Sequence, residues 1–240
     1  MKYRLFYWPG IQGRGEYVRL ALEEGGADWV DVCRLSAQEG GGVDAMLRLM
    51  DGAEIARPSF APPFLQAGRQ LIGQTANILA FLGPRLDLVP RDDAGRSWVN
   101  QLQLTLADLI VEAHDVHHPL GVNFYYEDQK PESRRRAADF RSERLPKFLG
   151  WFERVLEAAG GKTLVSRKFT YADLSLAQVV AGLSYAFPKA MRRELRRRPL
   201  LARHQETVFS RPRIAAYLAS ERRLDFNDDD LFRRYPELDG

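Results

Sequence analysis

Two kinds of hydrophobic periodicity divide this chain. In its first third, short apolar runs alternate with segments of helical periodicity, and glycine or proline residues separate them. Beyond a polar, proline-bearing stretch at residues 84–95, the short apolar runs disappear and only helical patterns follow. The pattern therefore predicts a small α/β domain over residues 1–83, a linker over 84–95 and an all-helical domain over 96–240.

The elements of the first domain are predicted in the order β-α-β-α-β-β-α. Two apolar runs around a turn at Gly68-Arg69 predict a hairpin, so we expect a mixed sheet rather than an all-parallel one. No G-x-G-x-x-G sequence follows a strand, and the pattern therefore does not indicate a dinucleotide site. The predicted strands cover residues 3–8, 29–35, 64–67 and 70–72. The predicted helices are residues 13–24, a short piece that contains Met46, and a segment that opens at Gln74-Thr75.

In the second domain, Thr170 and Asp173 have the spacing of a capping box, which predicts the start of a strongly apolar helix. A bend is expected at Pro146, inside a long helical pattern. Residues 222–240 form a polar tail with scattered aromatic side chains. The predicted helical segments are 97–117, 133–159, one that opens at Thr170 and one from Arg211 through Ala219.

The composition is that of a globular protein with a real core, since 45% of the residues are hydrophobic. Cys33 is the only cysteine and cannot form an internal disulfide, which favours a reducing compartment. No apolar run has the length of a membrane span, and no secretory signal pattern is recognised. We therefore predict a cytoplasmic protein without a membrane segment. Cys33 itself is expected to be a small buried residue of the second strand.

Two charged or polar clusters have a functional and a structural interpretation. The net charge of +3 comes largely from arginines between Arg192 and Arg203, but no nucleic-acid recognition motif accompanies them, so we predict a solvated helix face. His114, His117 and His118 share a helix end without a carboxylate cluster or cysteine set that would close a metal site. We expect neither a nucleic-acid partner nor a metal.

Tyr7 occupies the most informative position in the sequence. It ends the first apolar run, just before a glycine-bearing turn and the start of a helix. Ligands of α/β folds bind at the carboxyl edge of the sheet, and a helix start supplies free N–H groups and partial positive charge. The sequence therefore predicts that Tyr7 lies where an anionic ligand would be held.

Five short motifs, in this order, resemble those of the cytosolic glutathione transferases, and the resemblance covers nearly the whole chain. The opening resembles that of the tyrosine-type classes (alpha, mu, pi and sigma). The motifs are Tyr7-Trp8 with Gly13-Arg14-Gly15-Glu16, then Pro63-Phe64-Leu65, Gln74-Thr75, Thr170–Asp173 and Arg211–Leu218. The resemblance implies a thioredoxin-like first domain that binds glutathione, an all-helical second domain that carries the pocket for the second substrate, and a homodimer.

The resemblance also implies a chemistry. A neutral tyrosine hydroxyl that donates to the glutathione sulfur lowers the pKa of the thiol, because the hydrogen bond favours the charged form. The resemblance assigns this role to Tyr7 and makes Arg14, beside it, a second catalytic residue. Gln74 and Thr75 would bind the γ-glutamyl end, and Trp8 would line the site.

Pro62 departs from the family pattern. The residue before the cis-proline pairs with the cysteinyl backbone of glutathione through its own N–H and C=O, and Pro62 has no N–H. One lost hydrogen bond weakens binding by about 0.5–1.5 kcal/mol, so we expect weaker glutathione binding than is usual for the family, or a substitute contact. An acidic residue of the partner subunit is also implied, with Asp108, Glu112 and Asp115 as candidates and Asp115 as the favourite.

The expected function is conjugation of the glutathione thiolate to a small hydrophobic electrophile, in a detoxifying role. A glutathione-dependent isomerase and a non-catalytic binding protein of the same fold are the alternatives. Thiol-transferase chemistry is disfavoured because no cysteine ends the first strand. The aromatic residues of the second domain could line the electrophile pocket or pack in the core. They are Phe124, Tyr125, Tyr126, Tyr185 and Phe187.

Overall fold

A computed structural model of the protein describes residues 2–52 and 55–240. The first domain is a four-stranded sheet in the order β2-β1-β3-β4, in which β1 and β2 are parallel and the other neighbours antiparallel. The mixed sheet and the element order are as predicted. The strands are β1 (Tyr3–Phe6), β2 (Trp29–Asp31), β3 (Phe64–Ala67) and β4 (Gln70–Gly73). The helices are α1 (Gly15–Glu24), α2 (Val43–Asp51) and α3 (Thr75–Leu82).

The first two strands are shorter than predicted. β1 ends at Phe6 rather than at residue 8, and β2 ends at Asp31 rather than at residue 35. The last β1–β2 pair is Leu5 with Asp31, and residues 32–34 then form a 3₁₀ turn. Cys33 is buried as expected, but it lies in this turn rather than in a strand.

The second domain is helical. A long helical pattern with a bend at Pro146 was predicted over residues 133–159, and a π turn at Phe140–Arg144 divides this segment into α5 and α6. Pro146 follows this turn and has no N–H for the carbonyl four residues before it, so the regular helical ladder is interrupted just ahead of the proline. The helices are α4 (Asp93–Asp115), α5 (Lys130–Asp139), α6 (Leu145–Ala158), α7 (Tyr171–Ala186), α8 (Pro188–Arg197), α9 (Pro199–Phe209) and α10 (Pro212–Leu218).

Helix α7 is the centre of the second domain and packs against α4, α8 and α9. Its start is capped as predicted: the buried Asp173 carboxylate accepts hydrogen bonds from the Thr170 N–H (2.8 Å) and hydroxyl (2.7 Å). It also accepts the Leu164 N–H at 2.7 Å. Helix α1 of the first domain packs against α7 and α10, so the two domains meet along the helix that follows Tyr7.

The arginine-rich stretch forms α8, and Pro199 begins α9. The arginines at 192, 193, 196 and 197 are exposed, whereas Arg198 is paired with Glu194. Among residues 2–52 and 55–240, no helix combines the length and the apolar character that crossing a membrane requires.

Candidate active site

The Tyr7 ring is enclosed by the loop that follows it. Tyr7 comes directly after β1 and is 5% exposed. Gly13 has a φ of +43°, and a Cβ there would overlap the Tyr7 hydroxyl. A Cβ at Gly15 would lie 2.6 Å from the Tyr7 ring. Both positions therefore need glycine, the first for its backbone conformation as well as for space.

The Tyr7 oxygen accepts a hydrogen bond from the Arg14 N–H at 2.9 Å. A phenol can both accept and donate, so this contact leaves the Tyr7 O–H available as a donor. Burial raises the pKa of Tyr7, while the Arg14 amide and the Arg14 and Arg19 charges partly oppose this effect. Tyr7 is therefore a neutral donor at neutral pH, beside the first turn of α1 with its free N–H groups.

Arg14 also connects Tyr7 to the start of α3. The Thr75 hydroxyl donates to the Arg14 carbonyl oxygen at 3.4 Å, while the Arg14 amide contacts Tyr7. Gln74, which precedes the first residue of α3, is exposed and has φ 68° and ψ 120°. This conformation is unfavourable for a residue with a Cβ, and such backbone outliers cluster at functional sites.

The other residues of the first domain that the sequence singled out lie at the same edge of the sheet. The Pro62–Pro63 peptide bond is cis and directly precedes β3. Because Phe6 pairs with Phe64, the chain at Tyr7 leaves the sheet beside Pro63. Trp8 is 41% exposed at the same edge. The structure thus brings the predicted site residues of the first domain to one region.

A cleft of about 520 Å³ opens between the start of α3 and helix α4. The half-buried Arg14 lines it, together with Gln74 and Thr75. Its walls also include Tyr17 and Gln103, whose hydroxyl and amide oxygen are buried without a hydrogen-bond partner among the described residues. Sequence reasoning missed both, because each occupies an inward position of a helical pattern and looks like an ordinary core residue. A cleft with these groups can hold a polar or charged end of a ligand.

Sequence reasoning also missed the contribution of the C-terminal tail. Asp230, 2% exposed, accepts hydrogen bonds from the Gln12 N–H at 3.2 Å and the Gly13 N–H at 2.8 Å. Beneath the same loop, the buried Arg19 pairs with Glu16 and Asp31. The Asp230 contacts join residues more than 200 positions apart in the chain, so they leave no periodic signal.

The aromatic residues of the second domain do not form one group. Tyr126 and Phe187 are each 3% exposed and belong to the core. Tyr185 stacks on Phe226, and the remaining two, Phe124 and Tyr125, are exposed.

Of the three acidic candidates on α4, two are engaged within the subunit. Glu112 accepts hydrogen bonds from Arg144, and Asp115 contacts His114 at 3.1 Å. Asp108 is exposed on the face that also carries the exposed Leu104 and Val111.

The three histidines at the end of α4 pack against one another. His114 and His118 are stacked at 5.2 Å. His117 contacts the Leu231 carbonyl oxygen at 3.1 Å, and burial lowers its pKa to about 2, so it is a neutral donor. Within the described ranges, no group of three or more metal-ligating side chains is arranged to hold a metal ion.

Comparison with known proteins agrees with this fold. Residues 114–221 match the family described as the glutathione S-transferase C-terminal domain. A relative from Xenopus laevis, glutathione S-transferase P 1, is 27% identical over 92% of this chain and 93% of its own length.

Two solved structures share the fold. The pi-class glutathione S-transferase of Onchocerca volvulus has a TM-score of 0.69 and 22% identity, and the match covers 90% of this chain and 92% of that one. Monomeric Na-GST-3, a glutathione S-transferase of the hookworm Necator americanus, has a TM-score of 0.68 and 19% identity over 94% of this chain and all of that one.

A small mixed-sheet domain followed by a helical domain is the fold that this chain shares with both transferase structures. Together with the sequence matches, it makes this chain similar to the glutathione S-transferases in both fold and sequence.

Proposed function

We propose that this protein is a glutathione transferase that uses the Tyr7 hydroxyl to hold the glutathione sulfur as a thiolate. The contact between the Arg14 amide and the Tyr7 oxygen carries the proposal, because it fixes the oxygen as an acceptor and leaves the O–H for the sulfur. This role corresponds to the tyrosine-type classes.

The glutathione thiol must be ionised before it can react. Glutathione's thiol is mostly protonated at neutral pH, and only the thiolate is a good nucleophile. A hydrogen bond from Tyr7 and the partial positive charge at the start of α1 both favour the thiolate and lower the thiol pKa. The thiolate then attacks an electrophilic carbon of a small hydrophobic substrate and forms the new C–S bond as the leaving group departs.

The remaining site residues would bind the tripeptide. The N–H groups at the start of α3 and the Thr75 hydroxyl suit the γ-glutamyl carboxylate. The half-buried Arg14, which lines the adjoining cleft together with Gln74 and Thr75, suits the same charged end. Trp8 and the Pro62 carbonyl would contact the rest of the peptide. The lone buried Cys33 supports a cytoplasmic location.

The test is a titration of the thiol in the complex of the wild-type protein with glutathione, followed by thiolate absorbance. We expect a thiol pKa below that of free glutathione, and conjugation of a chlorinated nitroarene. Tight binding with an unshifted thiol pKa and no conjugation would favour a non-catalytic binding protein. A lowered thiol pKa without conjugation of this or related electrophiles would favour the isomerase.

We also propose that the enzyme is a homodimer that associates through the exposed face of α4. Leu104 and Val111 are 49% and 47% exposed there, and Asp108 lies between them on the same face. A side chain in this position could reach the cleft beside α3 of a second subunit. Asp108 is then the residue that contacts the γ-glutamyl amine across the interface.

The double variant Leu104→Glu/Val111→Glu is expected to be a monomer at micromolar concentration, because it places two carboxylates in an apolar contact. Sedimentation velocity measures the change. Val122→Glu, which adds the same charge to another exposed aliphatic residue (69% exposed), is the control and should remain dimeric. A dimer that survives the double variant, or one that only Val122→Glu disrupts, would place the interface elsewhere.

A further inference from the structure

The last nineteen residues form a strap over the loop that carries Arg14. This C-terminal strap, residues 222–240, follows α10 and lies outside the segment that matches the family, which ends at residue 221. Its first part, residues 223–231, makes side-chain hydrogen bonds with residues 10–16, which comprise the end of the loop after Tyr7 and the first two residues of α1. The strap therefore holds the loop that connects Tyr7 to α1.

Asp230 makes the central contact of the strap. Its carboxylate accepts the N–H groups of Gln12 (3.2 Å) and Gly13 (2.8 Å), and also that of Leu231. It is 2% exposed, and no ion pair to it is found among the described residues. A carboxylate buried without a cation is unfavourable unless several donors satisfy it, and here three backbone amides do so.

Other strap residues hold both ends of the same loop. The Asn227 side-chain amide donates to the Gly10 carbonyl oxygen at 2.9 Å. Arg223 pairs with Glu16 and donates to the Gln178 amide oxygen at 3.0 Å. The Gln12 side chain donates to the Leu224 carbonyl oxygen. The loop is thus fixed on each side of the two amides that Asp230 binds.

The strap is itself anchored on the helical domain. The Phe232 ring occupies the space beside Gly182, where a Cβ would overlap it. Tyr235 stacks on Tyr126 with ring centroids 3.7 Å apart. The position of Asp230 relative to the loop is therefore set by the core of the second domain rather than by the loop alone.

We propose that Asp230 is a positioning residue for the transferase reaction, because its carboxylate fixes the Gln12 and Gly13 amides and thereby keeps the Arg14 amide on the Tyr7 oxygen. The inference rests on the proposed role of Tyr7. Gly13 is adjacent to Arg14 in the chain, and a Cβ at Gly13 would overlap the Tyr7 hydroxyl, so a shift of the Gly13 backbone disturbs both partners of the Tyr7–Arg14 hydrogen bond. Through this loop, the end of the chain completes the catalytic site.

The strap offers a matched control in Asp239. It is also 2% exposed, and its carboxylate accepts two backbone amides, those of Lys189 (2.7 Å) and Ala190 (3.0 Å). These amides belong to the first turn of α8, in the second domain and apart from the Tyr7 loop. Asp239→Ala therefore removes the same kind of contact from the same segment without touching the catalytic loop.

The experiment compares wild type, Asp230→Ala, Asp230→Asn and Asp239→Ala, each in complex with glutathione. The thiol pKa is titrated by thiolate absorbance, conjugation kinetics use a chlorinated nitroarene, and amide hydrogen exchange reports on residues 12–14. We expect Asp230→Ala to raise the thiol pKa by about one unit, which corresponds to a tenfold smaller thiolate-to-thiol ratio, and to lower kcat about as much. The KM for glutathione should change little, since Gln74 and Thr75 are unaltered.

The conservative variant Asp230→Asn separates the effect of the hydrogen bonds to the loop from the effect of the Asp230 charge. Asp230→Asn keeps one acceptor oxygen and should fall between wild type and Asp230→Ala. If Asp230 acted only as a charge, removing it would lower the thiol pKa, because a nearby negative charge disfavours the thiolate. Exchange at residues 12–14 should accelerate in both Asp230 variants and stay at the wild-type rate in Asp239→Ala.

A thiol pKa that is lowered in wild type and unchanged or lower still in both Asp230 variants would overturn the positioning role while leaving the proposed function intact. An equal loss of kcat in Asp239→Ala would reduce Asp230 to a general stability contact. A wild-type thiol pKa equal to that of free glutathione would instead refute the role of Tyr7 itself, on which the positioning role depends.

Discussion

Tyr7→Phe is expected to lower kcat for conjugation roughly a hundredfold, since removing one preorganised donor from a developing or bound anion has effects of this size. The substitution deletes only the hydroxyl, and the ring remains enclosed by Gly13 and Gly15. The thiol pKa of bound glutathione should rise toward its value in free solution. The rate at high pH should recover part of the loss, because hydroxide then supplies the thiolate that the enzyme no longer stabilises.

Tyr171→Phe is the matched control for this prediction. Tyr171 is 2% exposed at the start of α7 and packs against Gly83, so the same atom is removed from another buried tyrosine. Its kcat and thiol pKa should equal those of wild type. Wild-type activity in Tyr7→Phe would remove Tyr7 from the mechanism and leave the fold without an assigned catalytic group.

The features that the sequence predicted well are those set by local signals. The β3–β4 hairpin lies where two short apolar runs flank Gly68, and the cap of α7 lies where Thr170 and Asp173 have their characteristic spacing. Tyr7 could be singled out because strand, turn and helix are adjacent in the sequence. These signals need no knowledge of distant residues.

The features that could not be predicted depend on distant partners. The end of β2 depends on where its pairing with β1 stops, at Leu5 with Asp31, which the sequence of β2 alone does not contain. Gln12 and Asp230 are 218 residues apart, and the polar strap has no periodicity that would indicate its course. The burial of Arg19 could not be predicted either. In the sequence it looks like one more charged residue of an amphipathic helix, although in the structure it is fully buried.

Arg19→Leu is expected to destabilise the protein by about 3–5 kcal/mol, because it leaves the buried Asp31 carboxylate without its cation and leaves Glu16 with Arg223 alone. Arg19 donates to Asp31 at 2.8 Å and to Glu16 at 3.1 Å. It also donates to the Gln12 carbonyl oxygen at 3.1 Å, so its loss should loosen the Tyr7 loop as well. Although burial opposes it, the two carboxylates raise the pKa of Arg19, which therefore stays charged. Denaturant unfolding measures the loss.

The pH dependence of this loss identifies its cause. Burial already raises the pKa of Asp31 while Arg19 partly opposes the shift, so without Arg19 the pKa of Asp31 should rise further. The folded variant then binds more protons than the unfolded chain, and its stability falls as the pH rises through the Asp31 pKa. The difference in unfolding free energy between wild type and Arg19→Leu should therefore be smaller at mildly acidic pH than at pH 7.

Arg96→Leu is the matched surface control for Arg19→Leu. Arg96 is 45% exposed and lies 3.9 Å from Asp93, a pairing expected to contribute at most about 1 kcal/mol. Its effect should not depend on pH in the same way, because Asp93 is fully solvated in both variants. Two results would contradict the prediction: Arg19→Leu destabilises no more than Arg96→Leu, or its loss of unfolding free energy grows on acidification. Either would show that the ion pairs of Arg19 with Glu16 and Asp31 do not hold α1 and the loop after Tyr7 together.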